Sequence, residues 1–345
     1  MILTVSIPGC GAHPNAWRHS TAPAAPSLSW FRTLTATAER GGLDAILFDG
    51  QWGPAGPFVI DAVPLIAALA ASSKSIGLGA AIALDHAEPF NIARSFAAID
   101  RLTAGRSALI ARMGTGRPSD FAHVQPLEPA NRWARAAECV TVVRKLWDSW
   151  EDESIVLDKP NGRFSDSRYI HPINHSGPFF SVRGPLNAPR PLQGNPPVIQ
   201  RGITPEDLVL ARETADVLIA PVNDPTELVA VRKSLGERPR FLVRLAVLLA
   251  PTEAAAKART AELGDLLEGL WFTGTPDGLV AYLIELSAFC DGVDIAPAVV
   301  PADLELLADE VMPRLRKRGL RPAAYEGRTL RDHFQLSRPR SQFAA

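Results

Sequence analysis

The sequence predicts one (β/α)8 barrel spanning residues 1–345. Short apolar, β-branched runs alternate with longer helical patterns along the whole chain. The predicted strands are near-continuously apolar, as parallel strands covered on their outer face are. A length of 345 residues suits either two ordinary domains or one such barrel, and the repeating βα rhythm decides for the barrel.

The elements follow in order. "LTVSI" (3–7) precedes a helix over about 28–41, "LDAILFD" (43–49) one over 57–73, "IGLGAAIAL" (76–84) one over 88–103, and "RSALIAR" (106–112) one over 129–150. In this last helix Trp133, Ala136, Ala137, Val140, Val143, Trp147 and Trp150 recur every three or four residues and form one apolar stripe. Residues 151–196, rich in Pro, Gly and Asn, read as irregular hairpins inserted between strands 4 and 5, either a lid over the barrel mouth or a structural arm. The rhythm resumes with "PVIQR" (197–201) and a helix from 205, then "DVLIAP" (216–221) and a helix from 225. "RFLVRLAVLLA" (240–250) is followed by two helices, and "GVDIAPAV" (292–299) by a helix to about 319. Residues 320–345 form a C-terminal tail.

Composition excludes several function classes. Lys plus Arg number 36 against 37 Asp plus Glu, and the basic stretch "RLRKRGLR" (314–321) belongs to an amphipathic helix, so nucleic-acid binding is not expected. The cysteines, Cys10, Cys139 and Cys290, are odd in number and far apart, which argues against a disulfide framework or a zinc cluster and for a reducing cytoplasm. No segment carries the apolar run of a membrane span or a signal peptide. Walker A and Gly-x-Ser-x-Gly motifs are missing, and every lysine falls in a predicted helix or loop, which disfavours a Schiff-base aldolase. His171 and His175 have a spacing usable by zinc but sit in a turn without a third ligand nearby, so no metal site is expected.

Candidate site residues are those that the barrel brings to the C-terminal ends of its strands. Asp49 closes strand 2, where it serves either as a ligand-facing carboxylate or as the start of a tight turn with Gly50. Arg112 and Arg201 end strands 4 and 5 and would bring positive charge to the mouth. Trp17, Trp52, Phe58, His86 and Trp133 are candidates for an aromatic lining, although helix packing accounts as well for Trp133. In "PVIQRGITPED" (197–207), Thr204 is an N-cap and Pro205 a first helical residue. The N–H groups near Gly202 to Thr204 offer a phosphate site, opposed by the carboxylates of Glu206 and Asp207.

The stretches "GAHPNAWRHS", "AERGGLDAILFDG", "AEPFNIARSFAAIDRLTAGR", "VVRKLWDSWEDESIVLDKPNGRFSD", "IHPINHSGPFFSVRGPLNAPRPLQGNP", "TGTPDGLVAYL" and "LRKRGLRPAAYEGRTLRDHF" resemble the nitrilotriacetate/dibenzothiophene-sulfone monooxygenase group of the bacterial luciferase-like superfamily, in family order over nearly the whole chain. The resemblance implies a (β/α)8 barrel with insertions, reduced FMN supplied by a separate NAD(P)H-dependent flavin reductase, and oxygenation of a small organic molecule by a flavin C4a-hydroperoxide. Homo-oligomers, dimers or tetramers, are expected by the same resemblance. Carried over by residue, Asp49 matches the family's Asp after strand 2, and Thr204, beside Arg201 and Gly202, stands where a Ser approaches the FMN phosphate. Trp133 replaces a Tyr, Pro129 a His, and Leu84 stands near an expected hydroxyl. A Trp-Asn-x-x-Thr-Ser pattern has become "ALIARMGTG". His86 and His123 are the candidate proton donors. The changes at Leu84, Leu109 and Pro129 equally motivate a catalytically silent barrel that binds a ligand or acts as a structural subunit. A third reading keeps activity but uses a deazaflavin, with Arg112 or Arg201 on its phosphate.

Overall fold

A computed structural model of the chain describes residues 1–25, 27–52, 58–114, 128–264 and 269–344, with residues 51, 52, 58, 59, 129 and 130 described by backbone alone. Its main strands are β1 (Ile2–Ser6), β2 (Ala45–Phe48), β3 (Gly77–Ala83), β4 (Ser107–Arg112), β5 (Val198–Arg201), β6 (Val217–Ala220), β7 (Arg240–Leu249), β8 (Trp271–Gly274) and β9 (Gly292–Pro297). All but β8 form a closed parallel barrel, in which β1 to β7 pair in sequence, β9 pairs with β7, and β9 returns to β1. These are the eight strands read from the apolar runs, and the expected (β/α)8 architecture is the observed one.

The ninth strand corrects the expectation of two helices without a strand between β7 and the last barrel strand. β7 is ten residues long, and β6 covers its edge only as far as Val243. The continuation would present unpaired N–H and C=O groups, and β8 takes them, with Ala246 opposite Trp271 and Leu249 opposite Gly274.

The helix Pro129–Asp148 lays its stripe inward as the spacing predicts, with Ala136, Val140, Val143 and Trp147 fully buried. The Trp147 indole N–H donates to the Ala93 carbonyl at 3.0 Å, so the large ring is buried without an orphaned donor. The insertion holds two small antiparallel hairpins, Ile155–Asp158 with Arg163–Ser165 and His175–Ser176 with Ser181–Val182. Its anchors lie on that helix and its C-terminal flank. The Glu138 carboxylate accepts from the N–H groups of Phe179 (3.1 Å) and Phe180 (3.0 Å) and pairs with His175 Nε2 (2.9 Å), while Arg190 pairs with Asp148 (3.0 Å). The two histidines noted for their spacing are engaged separately, His175 with Glu138 and His171 with Glu151 (2.6 Å). These anchors tie the segment to that helix.

The tail has a use that the sequence did not disclose. The short helix Leu330–His333, capped by Thr329, delivers Leu330 and Phe334 into the barrel at the N-terminal ends of the strands. There they pack with Ile2, Leu47, Ile110, Ile199, Ile219 and Leu242, and both are completely buried. Gly77 is required at this contact, because a Cβ on it would lie 2.4 Å from Leu330 Cδ1. Phe334→Ala should therefore cost about 3–5 kcal/mol, read as a lower urea midpoint with an unchanged slope.

The three cysteines are free and buried. Burial pushes the Cys139 thiol up to about 12 and the Cys290 thiol to about 11, so each stays protonated well above neutral pH. Ellman's reagent at slightly alkaline pH should label neither in the native protein and label both once denaturant is added.

Candidate active site at the strand ends

The barrel's register builds a polar layer within an apolar interior. Asp294 in β9 stands opposite Thr4 in β1 and opposite Arg244 in β7. Its carboxylate is fully buried and accepts from Thr4 Oγ1 (2.8 Å), from Ser6 Oγ (2.9 and 2.8 Å to its two oxygens) and from Arg244 Nη1 (3.1 Å). Ser6 accepts in turn from Arg201 Nη2 at 2.7 Å, and Arg201 Nη1 donates to Asp49. Strands β1, β5, β7 and β9 and the residue after β2 are thus joined across the barrel's C-terminal end by one charge-assisted network.

Burial alone would raise the Asp49 carboxyl, but the guanidinium groups of Arg201, Arg244 and Arg112 hold it below the usual carboxylate range. For Arg244, burial and the neighbouring Arg201 charge lower the pKa, partly offset by Asp294 and Asp49. Arg112 ends β4, and its side chain makes no hydrogen bond or ion pair among the described residues, its buried Nε included. Three cations therefore face the two carboxylates Asp49 and Asp294.

Two cavities adjoin this network. Leu84, Arg112, Gln200, Arg201, Asp207 and Leu210 surround a space of about 10 Å³, no more than about one water's worth. On the far side of Arg244, Ala12, Pro221, Val222, Leu270 and Trp271 line a larger cavity of about 160 Å³. Its walls are largely apolar with one guanidinium, the composition of a small-molecule site.

The structure brings Asp49, Leu84, Trp133, Arg201, Gly202 and Thr204 to this end of the barrel in different capacities. Leu84 is buried against the small cavity. Thr204 caps the helix Pro205–Thr214 in a reciprocal box: its Oγ1 accepts from Asp207 N (3.2 Å), and its own N–H donates to Asp207 Oδ2 (3.3 Å). Trp133 Nε1 donates to Asp207 Oδ1 at 3.1 Å. Gly202, at φ +125°, leaves room for the same carboxylate, since a Cβ there would lie 2.2 Å from Asp207 Oδ2. His86 lies in the turn after β3, its Nε2 3.6 Å from Asp85, which also binds Arg132 and Gly114 N. Trp17 is half exposed, with Arg18 over its ring. His123 and the side chains of Trp52 and Phe58 lie outside what the structure describes.

Sequence reasoning missed Ser6, Arg244 and Asp294. A usable signal existed: a charged residue inside an otherwise apolar parallel strand must be paired or functional, and Arg244 and Asp294 are such residues. Asp294→Ala should leave Arg244 and Arg201 underpaired and cost about 3–5 kcal/mol, measured by urea unfolding at neutral pH. Because the folded pKa of Asp49 is depressed, its share of stability is present above the ordinary carboxylate range and lost as pH falls through the depressed value.

Comparison with known proteins agrees with this architecture. The family model for luciferase-like monooxygenases matches residues 10–285. N-acetyl-S-(2-succino)cysteine monooxygenase of Bacillus subtilis is 31% identical, with 99% of this chain and 98% of that protein covered. Nitrilotriacetate monooxygenase component A of Aminobacter aminovorans is 28% identical over 97% of this chain and 96% of its own. The solved structure of EDTA monooxygenase from Chelativorans sp. BNC1 superposes with a TM-score of 0.85 at 26% identity, covering 98% of each chain. A closed barrel with its charged cluster at the strand ends, matched along nearly its whole length by oxygenases, places this chain in the luciferase-like monooxygenase family, and it is a monooxygenase.

Proposed function

We propose that the chain is the oxygenating component of a two-component system. A separate NAD(P)H-dependent flavin reductase delivers reduced flavin, and this chain uses it with molecular oxygen on a small organic substrate. One oxygen atom enters the substrate and the other leaves as water, with anionic reduced flavin supplying two electrons and one proton and the solvent the second proton. The observation that carries this reading, within a monooxygenase family, is the set of three arginines at the strand ends of which Arg112 has no partner among the described residues. Reduced flavin is an anion near neutral pH, and fixed positive charge near its ring favours that form.

The residues present fit a flavin at one end only. Arg112, Arg201 and Arg244 suit the anionic ring, and Leu84, Leu210, Val222 and Trp271 supply apolar walls that exclude water. At the helix N-terminus beside Thr204 they fit a phosphate poorly, because the Asp207 carboxylate takes the Thr204 N–H and the Trp133 indole N–H and sets a negative charge there. The aminopolycarboxylate relative is named component A, which supports a partner reductase for this chain as well.

Anaerobic titration with reduced flavin, followed by absorbance and tryptophan fluorescence, tests the reading. Saturable micromolar binding is expected. Arg112→Ala should weaken it by about tenfold or more, the loss of one hydrogen bond to a charged group, with an unchanged far-ultraviolet dichroism spectrum. Absence of binding by reduced flavin at high micromolar concentration would end the proposal.

A further inference from the structure

We propose that Asp207 is a built-in anion at the flavin site and sets its ligand preference, so that reduced flavin lacking the terminal phosphate is accepted at least as well as FMN. This inference rests on the flavin reading above and refines it.

In a barrel of this kind the helix after β5 points its N-terminus toward the mouth, where free N–H groups and the helix dipole attract anions. Here part of that end is already engaged. Pro205 has no N–H, Thr204 N donates to Asp207 Oδ2, and Asp207 N donates to Thr204 Oγ1. The second carboxylate oxygen takes the Trp133 indole N–H from the helix Pro129–Asp148. Asp207 is therefore held from two elements and lies directly against Gly202, in space that a larger residue at 202 would occupy. It also lines the small cavity with Arg112 and Arg201, so it supplies a negative charge on the side of those cations facing the helix. A phosphate monoester carries close to two negative charges at neutral pH. To reach the helix it would have to displace the Asp207 carboxylate from two hydrogen bonds or lie beside it unshielded. A neutral ribityl hydroxyl meets no such repulsion and can donate to the carboxylate.

The test compares reduced riboflavin with reduced FMN in anaerobic titrations of the full chain, its Asp207→Gly variant and its Asp207→Asn variant. The natural protein should bind riboflavin at least as tightly as FMN. Asp207→Gly, which frees the donors and removes the charge, should shift the preference toward FMN by about tenfold, the effect of gaining hydrogen bonds to a charged group. Asp207→Asn retains shape without charge and should shift it less. Thermal melts of each variant control for loss of the cap, which is expected to lower Tm by a few degrees. The inference is overturned if the natural protein prefers FMN by tenfold or more, or if neither variant shifts the preference toward FMN. If neither reduced flavin binds the natural protein, the proposed function falls. The assignment of Asp207 then stands if Asp207→Gly acquires FMN binding and falls if it does not.

Discussion

The buried carboxylate of Asp294 is the constraint around which the functional end of this barrel is organised. An isolated charge in an apolar barrel would be prohibitive, so it persists only because β1, β7 and β9 bring Thr4, Ser6 and Arg244 to it in register. That arrangement extends through Ser6 to Arg201 and through Arg201 to Asp49. The strands that close the barrel are thus the strands that assemble the charged mouth, and closure and site formation are one event.

The other end of the barrel is finished by different physics. Leu330 and Phe334 enter from the C-terminal tail and complete an apolar plug with residues near the starts of the strands. The arm at 151–196 packs on the helix Pro129–Asp148, with Arg338 of the tail paired to Asp152 at 2.7 Å. The mouth, by contrast, retains Arg112, whose side chain has no hydrogen-bond or ion-pair partner among the described residues, and a cavity beside Arg244. This separation of a packed base from a charged, incompletely filled mouth is the usual division of labour in such barrels.

At the helix after β5 the balance of effects inverts what the motif suggests. A Thr N-cap at the strand-5 loop is a helix end that could receive an anion, yet the same Thr204 is committed to Asp207. The residue three positions along decides the matter. It is near enough to satisfy the helix end internally, and Trp133 and Gly202 shape the surroundings to keep it there.

The eight barrel strands, their parallel character and the inward stripe of the helix Pro129–Asp148 were legible in the sequence, because burial on both faces or on one face imposes local periodicity. So was the placement of Asp49, Arg112 and Arg201 at strand ends, which follows from connectivity alone. β8 was not legible, since its partner edge exists only where β7 outruns β6, and the plug by Leu330 and Phe334 joins residues far apart in the chain. The network on Asp294 was hidden for the same reason. Its partners lie 50 to 290 residues away in the chain, and only closure of the barrel sets Thr4 beside it along with Arg244. Local sequence determines periodicity, caps and strand ends. Which charges meet, and which of them find partners, depends on long-range register, which closure of the barrel alone imposes.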